Sequence, residues 1–350
     1  MKIMKKRTYA IEPRWLLIFA FFAAGIFMGG LVLYLFESTQ GSDSFKIHPQ
    51  NLGYHYINPL LAVDTYSNKQ FFKDKTLEVK LQGLIDQEKR SGTISEASLY
   101  FRDLEPGDWV SLNESNQFSP GRLLKIPIMI TYYKLAESNP EILNETIHYT
   151  ATTSDVALDP MITAPDDLVS GETYTVDSLI ERMIIFSNAT AARLLFEHID
   201  KDPLTEVFSD LGISFAEQVQ TDDMITLKQY SLFFRVLYNA TYLNRAYSEK
   251  ALGLLVQADD TIGLGAGVPK SVPVANRFGS RIKNGIGSIK NYEAYDCGVF
   301  YYPGHPYLLC SVLQARNLQN ILTFFKQMGS AVYTEIDYKY KNTESNPQGI

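Results

Sequence analysis

The chain is poor in the residues that build metal, redox and nucleic-acid sites. Its 350 residues include two cysteines and five histidines, and these form no His-Glu-x-x-His motif and no Cys/His cluster. Lysine and arginine form no cluster beyond the first 14 residues, and the formal net charge is −7. The pattern excludes a zinc motif and argues against a nucleic-acid surface. We therefore expect no metal, no other cofactor and no nucleic-acid partner.

The two cysteines, Cys297 and Cys310, lie in a predicted hairpin whose strands are joined by Pro303-Gly304-His305-Pro306. This connection would place both side chains on one face of the sheet, diagonal to each other and not directly opposite. A disulfide requires close approach of the two Cβ atoms. The pattern therefore favours two buried free thiols, and a disulfide is the alternative.

Charge is also missing from a long run near the N-terminus. Trp15–Phe36 has 22 residues without a charge, and a helix of this length, at about 1.5 Å per residue, crosses a hydrocarbon core of about 30 Å. A cleaved signal peptide is the alternative, but its apolar region is usually about 7 to 15 residues long and ends at a small-x-small site, which is missing after Leu33. Five positive residues precede the run, so the positive-inside rule predicts a cytoplasmic N-terminus. They are Lys2, Lys5, Lys6, Arg7 and Arg14.

These observations predict a single-pass protein of the cell membrane. Residues 1–14 form a cytoplasmic basic segment, 15–36 a transmembrane helix, 37–75 a polar linker, 76–340 an extracytoplasmic globular domain and 341–350 a tail. Within the domain, apolar periodicity and turn residues predict the elements. The predicted helices are 76–90, 122–137, 176–183, 190–200, 226–239, 248–256 and 317–328, and the predicted strands are 95–102, 108–112, 271–282, 294–302 and 307–313.

The stretch Phe118–Pro127, Phe-Ser-Pro-Gly-Arg-Leu-Leu-Lys-Ile-Pro, resembles a nucleophile motif. In class A β-lactamases and related penicillin-binding enzymes, Phe-x-Pro-Ala-Ser-x-x-Lys carries a serine and a lysine one helical turn apart. The alignment puts Arg122 at the serine position and Lys125 at the lysine position. A guanidinium stays protonated and is not a nucleophile, so the resemblance implies that acylation is lost. The alternative is that Arg122 and Lys125 are ordinary charges near a helix start.

Two further segments resemble motifs of the same family. Ser187-Asn188-Ala189 stands where the family has Ser-Asp-Asn, which implies proton transfer by Ser187 and ligand contact at Asn188. An N-cap at the start of a helix is the alternative for this segment. Arg277-Phe278-Gly279 stands for Lys-Thr/Ser-Gly, which implies that Arg277 attracts the substrate carboxylate and that Gly279 lines the site.

A rival match for the third motif is Lys283-Asn284-Gly285, but Asn-Gly is foremost a hairpin signal. The string Ser280-Arg281-Ile282-Lys283 repeats the Ser-x-x-Lys spacing. In a strand, however, its serine and lysine point to opposite faces and do not meet. The family's Glu-x-x-Leu-Asn loop has no counterpart between residues 200 and 226, where Glu206 and Glu217 are the only glutamates.

The resemblance covers about residues 76–335 and implies an α+β fold, with an antiparallel sheet flanked by helices and an all-helical subdomain. The site would lie in the cleft between sheet and subdomain, lined by Arg122, Lys125, Ser187 and Arg277. Our leading hypothesis is a catalytically impaired relative that binds a carboxylate-bearing cell-wall peptide or a β-lactam. One alternative is an active hydrolase of β-lactams or D-alanyl peptides that uses another hydroxyl. The other is a structural envelope protein whose cleft is filled.

Overall fold

The computed structural model describes residues 53–58, 73–105, 107–118, 124–151, 168–214, 225–258, 261–284 and 290–344. The predicted transmembrane helix 15–36 lies outside these residues, as do Arg122 and Glu217. Within the described ranges, no helix combines the length and the apolar character needed to cross a bilayer.

Helices and strands follow one another in the predicted order. The helices are α1 (Lys75–Arg90), α2 (Lys125–Ser138), α3 (Val176–Ile185), α4 (Ala189–His198), α5 (Lys201–Asp210), α6 (Leu227–Tyr238), α7 (Arg245–Val256) and α8 (Leu318–Glu344). The strands are β1 (Glu96–Asp103), β2 (Trp109–Leu112), β3 (Gln117–Phe118), β4 (Thr146–His148), β5 (Thr173–Thr175), β6 (Ile225–Thr226), β7 (Val274–Asn284), β8 (Lys290–Phe300) and β9 (Tyr307–Ala315). Short 3-10 turns occupy Pro140–Asn144 and Gly265–Gly267.

One five-stranded antiparallel sheet organises the domain, in the order β2-β1-β9-β8-β7. Strand β1 from the start of the domain pairs with β9 near its end, so early and late parts of the domain meet in one sheet. Two-stranded pairs form from β3 with β6 and from β4 with β5. The predicted α+β fold with an antiparallel sheet and flanking helices is confirmed.

The two faces of the sheet bury separate sets of side chains. Because successive side chains of a strand point to opposite sides, neighbours on β1 enter different cores. Phe101 packs with Phe324 of α8 and with α1, on what we call the α1/α8 face. Tyr100 packs with Tyr230 and the core of helices α2 to α7, on what we call the helical face. The helical face is the side on which the candidate cleft must lie.

The closing helix is longer than predicted. The sequence pattern placed its end near residue 328, whereas α8 continues to Glu344 and takes up the first residues of the predicted tail. Met328, Val332 and Ile336 repeat at i, i+4 and i+8, so the buried stripe runs on for two more turns. Beyond it, the Tyr340 hydroxyl donates a hydrogen bond to the buried Asp103 carboxylate and holds the last turns against β1.

The expectation of free, diagonal thiols was wrong. Cys297 and Cys310 are directly opposite each other in the β8–β9 ladder and form a disulfide. Strand β8 ends at Phe300, so the connection to Tyr307 is longer than the four residues expected, and the pairing shifts. Phe300 pairs with Tyr307, and counting back from this pair puts Cys297 opposite Cys310.

Candidate active site

The lysine of the first motif begins helix α2 and reaches across to the second motif. Lys125 is 7% exposed, and its Nζ donates a hydrogen bond to the Ser187 carbonyl at 2.6 Å. Residues 119–123, which include Arg122 and Ser119, lie outside the described part of the chain. The structure therefore places the lysine of the motif and not the residue at the nucleophile position.

The second motif forms the turn between α3 and α4. Ser187 has a φ of +58°, in the left-handed region that costs a non-glycine residue on the order of 1 kcal/mol. Asn188 is the N-cap of α4: its side-chain oxygen accepts from the Ala191 amide at 2.8 Å, and the residue is 3% exposed. The capping alternative therefore describes Asn188, whose oxygen is directed at backbone and not into a cleft.

The third motif reaches the same turn from the sheet. Arg277 lies on β7, is 4% exposed, and donates through Nη1 to the Ile184 carbonyl at 3.0 Å. The last carbonyls of a helix carry partial negative charge and attract cations. Lys125 and Arg277, 152 positions apart (277 − 125), thus converge on one α3–α4 turn. The structure brings the predicted residues Lys125, Ser187 and Arg277 together.

The rival third motif lies farther along β7 and has a different role. Lys283 Nζ lies 3.4 Å from the Glu293 carboxylate, and Arg281 Nε lies 2.5 Å from the other oxygen of that group. Gln314 donates to the same carboxylate at 2.7 Å, and the Glu293 side chain is fully buried. Ser280 points to the α1/α8 face, so it does not meet Lys283, as predicted. Two partly exposed cations and one amide therefore surround a single buried carboxylate on the sheet.

An aromatic side chain occupies the space beside Gly279. A Cβ atom at Gly279 would lie 2.2 Å from the Tyr295 ring, so that ring covers the strand at this point. Tyr295 is 2% exposed and stacks with Phe118, the first residue of the nucleophile motif, at 6.3 Å between ring centroids. No local sequence pattern marks Tyr295 as a residue that covers Gly279. Only the pairing of Gly279 with Tyr295 across β7 and β8 reveals it.

A second buried carboxyl group lies on the α1/α8 face, behind the turn. Burial raises the pKa of Asp296 to about 7, and hydrogen bonds from the Leu264 amide and the Asn276 side chain oppose the rise. The positive charge of Arg277 also lowers the pKa. Asp296 is therefore part of the electrostatic environment of the third motif, from the opposite face of the sheet.

No group of three or more His, Cys, Asp or Glu side chains in the described ranges is placed to hold a metal ion. The polar groups of the site are a lysine, a serine, an arginine and backbone carbonyls. Such groups suit recognition of an anion or proton transfer to a hydroxyl.

The family is shown by comparison with known proteins. A model of the β-lactamase enzyme family matches residues 76–336. The chain belongs to this family. The resemblance found in the three motifs is therefore confirmed at the level of the family. No curated protein matches the sequence.

Solved structures of the family share the fold. PBP-A has a TM-score of 0.62 and 18% identity, over 76% of this chain and 97% of PBP-A. A class A β-lactamase from Mycobacterium abscessus has a TM-score of 0.60 and 21% identity, over 75% of this chain and 99% of its own. An ancestral class A β-lactamase has a TM-score of 0.59 and 21% identity, over 74% and 99%. At these identities the comparison concerns the fold alone.

Proposed function

We propose that this family member is an extracytoplasmic domain, anchored by residues 15–36, that binds cell-wall peptides or β-lactam-like carboxylates without forming an acyl-enzyme. The observation that carries the proposal is Arg122 at the nucleophile position, three residues before a lysine that still reaches the second motif. A guanidinium cannot attack a carbonyl carbon. The lysine thus has a position suited to activating a hydroxyl that the motif does not supply.

Two further absences support loss of hydrolysis. Ala189 replaces the motif's asparagine and has no side-chain hydrogen-bonding group, and no Glu-x-x-Leu-Asn string is present in the sequence. Resemblance to the family implies that this glutamate activates the water that releases the acyl group. Removing such parts of a catalytic unit costs several orders of magnitude in turnover.

Binding without chemistry is supported by the cations of the cleft. Lys125 and Arg277 bring two positive charges to one turn, and a low-dielectric environment strengthens their attraction for a carboxylate. One structure of PBP-A is an acyl-enzyme complex with penicillin G. We expect this chain to hold such a ligand, if at all, by charge and hydrogen bonds.

The compartment is supported by two independent features. The uncharged run 15–36 has the length of a membrane span, and the positive residues before it favour a cytoplasmic N-terminus. The disulfide between Cys297 and Cys310 is typical of a domain that folds in an oxidising compartment.

Labelling with a fluorescent penicillin, followed by denaturing electrophoresis, tests the proposal. We expect no covalent label on the wild-type domain, together with a higher melting temperature in the presence of a D-alanyl peptide. The double variant Arg122→Ser/Ala189→Asn returns the serine of the first motif and the asparagine of the second, and is the matched comparison. A stable adduct on the wild type would show an active hydrolase and overturn the proposal.

A filled cleft is the second candidate, and Tyr295 favours it. Its ring covers Gly279, whose strand is expected to line the ligand site. In that case the domain would be a structural protein of the envelope. An unchanged melting temperature with both D-alanyl peptide and penicillin would favour this second candidate over ligand binding.

A further inference from the structure

A short segment that precedes the family region docks onto the domain. The family match begins at residue 76, whereas residues 53–58 already contact α6, α7 and the residue after β8. Ile57 of this segment is 7% exposed and joins the core of the helical face. The segment therefore contributes a side chain to the hydrophobic core and does not only lie on the surface of the domain.

One carboxylate holds three consecutive backbone amides of the segment. Glu249 on α7 accepts from the His55 amide at 2.5 Å through Oε1, and from the Tyr56 and Ile57 amides at 2.8 and 3.0 Å through Oε2. Hydrogen bonds to an ionised acceptor are about twice as strong as neutral ones. Three consecutive amides that face one carboxylate require a bent backbone, and residues 55–57 form such a bend. The bonds come from the backbone and do not depend on the side chains of the segment.

The end of α6 forms a second contact. The Asn58 amide donates to the Tyr238 carbonyl at 2.7 Å, and its side-chain amide donates to the Asn239 side chain at 3.1 Å. The last carbonyls of a helix have no partner within the helix. The segment supplies one at this end.

The third contact is made from the sheet. The Tyr301 hydroxyl donates to the Tyr56 carbonyl at 3.0 Å, and the two rings meet edge to face at 5.5 Å. Tyr301 directly follows β8, and its amide is bonded to Pro273 just before β7. The segment therefore bridges α6 and α7 on one side and the end of the sheet on the other.

We propose that residues 53–58 are a clasp, a part of the folded unit that ties the helices of the helical face to the end of the sheet. The folded unit then begins about 20 residues before the family region, counted from the described residues. The segment belongs to the chain itself, and Glu249 and Tyr301 are the two residues of the domain that hold it. The inference does not depend on the proposed function.

Hydrogen exchange of the full chain, read by mass spectrometry, tests the clasp. In the wild type we expect the amides of residues 55–57 to be protected. Glu249→Ala should lower their protection at least about tenfold, because an amide bond to a carboxylate must open before exchange. It should also lower the melting temperature.

Two further variants are compared with Glu249→Ala. Tyr301→Phe keeps the ring and removes one hydrogen bond, so a smaller loss of protection is expected. Glu197→Ala, which removes an exposed pair with Arg193 on α4, is the control and should change neither measurement.

A bridging role predicts a remote effect. Loss of Glu249 should raise exchange around Tyr301, on the sheet side, as well as in residues 53–58. Wild-type amides at 55–57 that exchange at the rate of an unstructured peptide would overturn the proposal. Tyr301→Phe gives a second test if Glu249→Ala does not fold. Unchanged exchange in this variant, both in residues 53–58 and around position 301, would also overturn the proposal.

Discussion

The two faces of the central sheet treat buried carboxylates in opposite ways. Glu293 and Asp296 lie three positions apart on β8, both are fully buried, and they point to different faces. On the helical face, Glu293 is surrounded by Arg281, Lys283 and Gln314. On the α1/α8 face, the described hydrogen-bond donors to Asp296 are neutral: the Leu264 and Cys297 amides and the Asn276 side chain.

The two faces of the sheet surround a buried carboxyl group with different side chains. The helical face carries Arg277, Arg281 and Lys283 on one strand, next to the candidate cleft. The α1/α8 face is apolar around Phe278, Phe324 and Phe325, so its one carboxyl group on β8 is costly to ionise. On β7 and β8, the helical face therefore combines charged side chains with a large apolar core, whereas the α1/α8 face packs mainly apolar side chains.

The largest expected effect concerns Asp296 and pH. Its pKa is about 7 in the folded protein against an ordinary 3.8, so the folded state keeps a proton that the unfolded chain loses between about pH 4 and 7. Its contribution to stability is greatest below pH 4 and falls as pH rises through 7, by on the order of 4 kcal/mol. Asp296→Asn cannot titrate. Urea unfolding from pH 4 to 8 should give a wild-type curve that falls relative to the variant, and parallel curves would contradict the assignment.

Removing Glu293 should have the next largest effect. Glu293→Ala leaves Arg281 and Lys283 without their shared carboxylate and should lower the free energy of unfolding by about 3 kcal/mol. The exposed Glu96, which pairs with Lys89 at 3.2 Å on the same sheet, is the matched control. Its alanine variant should cost no more than about 1 kcal/mol in urea unfolding. Equal losses in the two variants would show that burial adds nothing to the ion pairs of Glu293, and would contradict the prediction.

The disulfide is a covalent cross-link between β8 and β9 on the helical face. Cys297→Ala/Cys310→Ala opens a link of 13 positions in the sequence and should cost about 2 to 3 kcal/mol. Thiol titration of the denatured wild type without reductant should detect no free thiol. Two free thiols per chain would restore the interpretation that the sequence pattern first favoured.

Local patterns predicted most elements and the grouping of the site. Alternation and helical periodicity found β1, β7, β8, β9 and most helices. Motif order singled out Lys125 and Arg277, which the structure places against the α3–α4 turn that contains Ser187. Helix α5 was missed because Leu204, Val207 and Phe208 are few apolar residues in a polar stretch.

Long-range contacts could not be predicted, because they leave no local pattern in the sequence. Glu249 binds amides more than 190 positions away, and no local pattern marks a carboxylate for that role. The Tyr295 contact with Gly279 depends on the register of β7 with β8, and the disulfide depends on the register of β8 with β9. A departure of one or two residues at a strand end is enough to change these pairs.

Intact mass spectrometry after incubation with penicillin G tests the central claim most directly. We predict an unchanged mass for the wild-type chain, because Arg122 supplies no nucleophile. We predict an added penicillin on Arg122→Ser/Ala189→Asn, in which a serine precedes Lys125 by three residues in the sequence. A mass increase of one penicillin on the wild type would contradict the account.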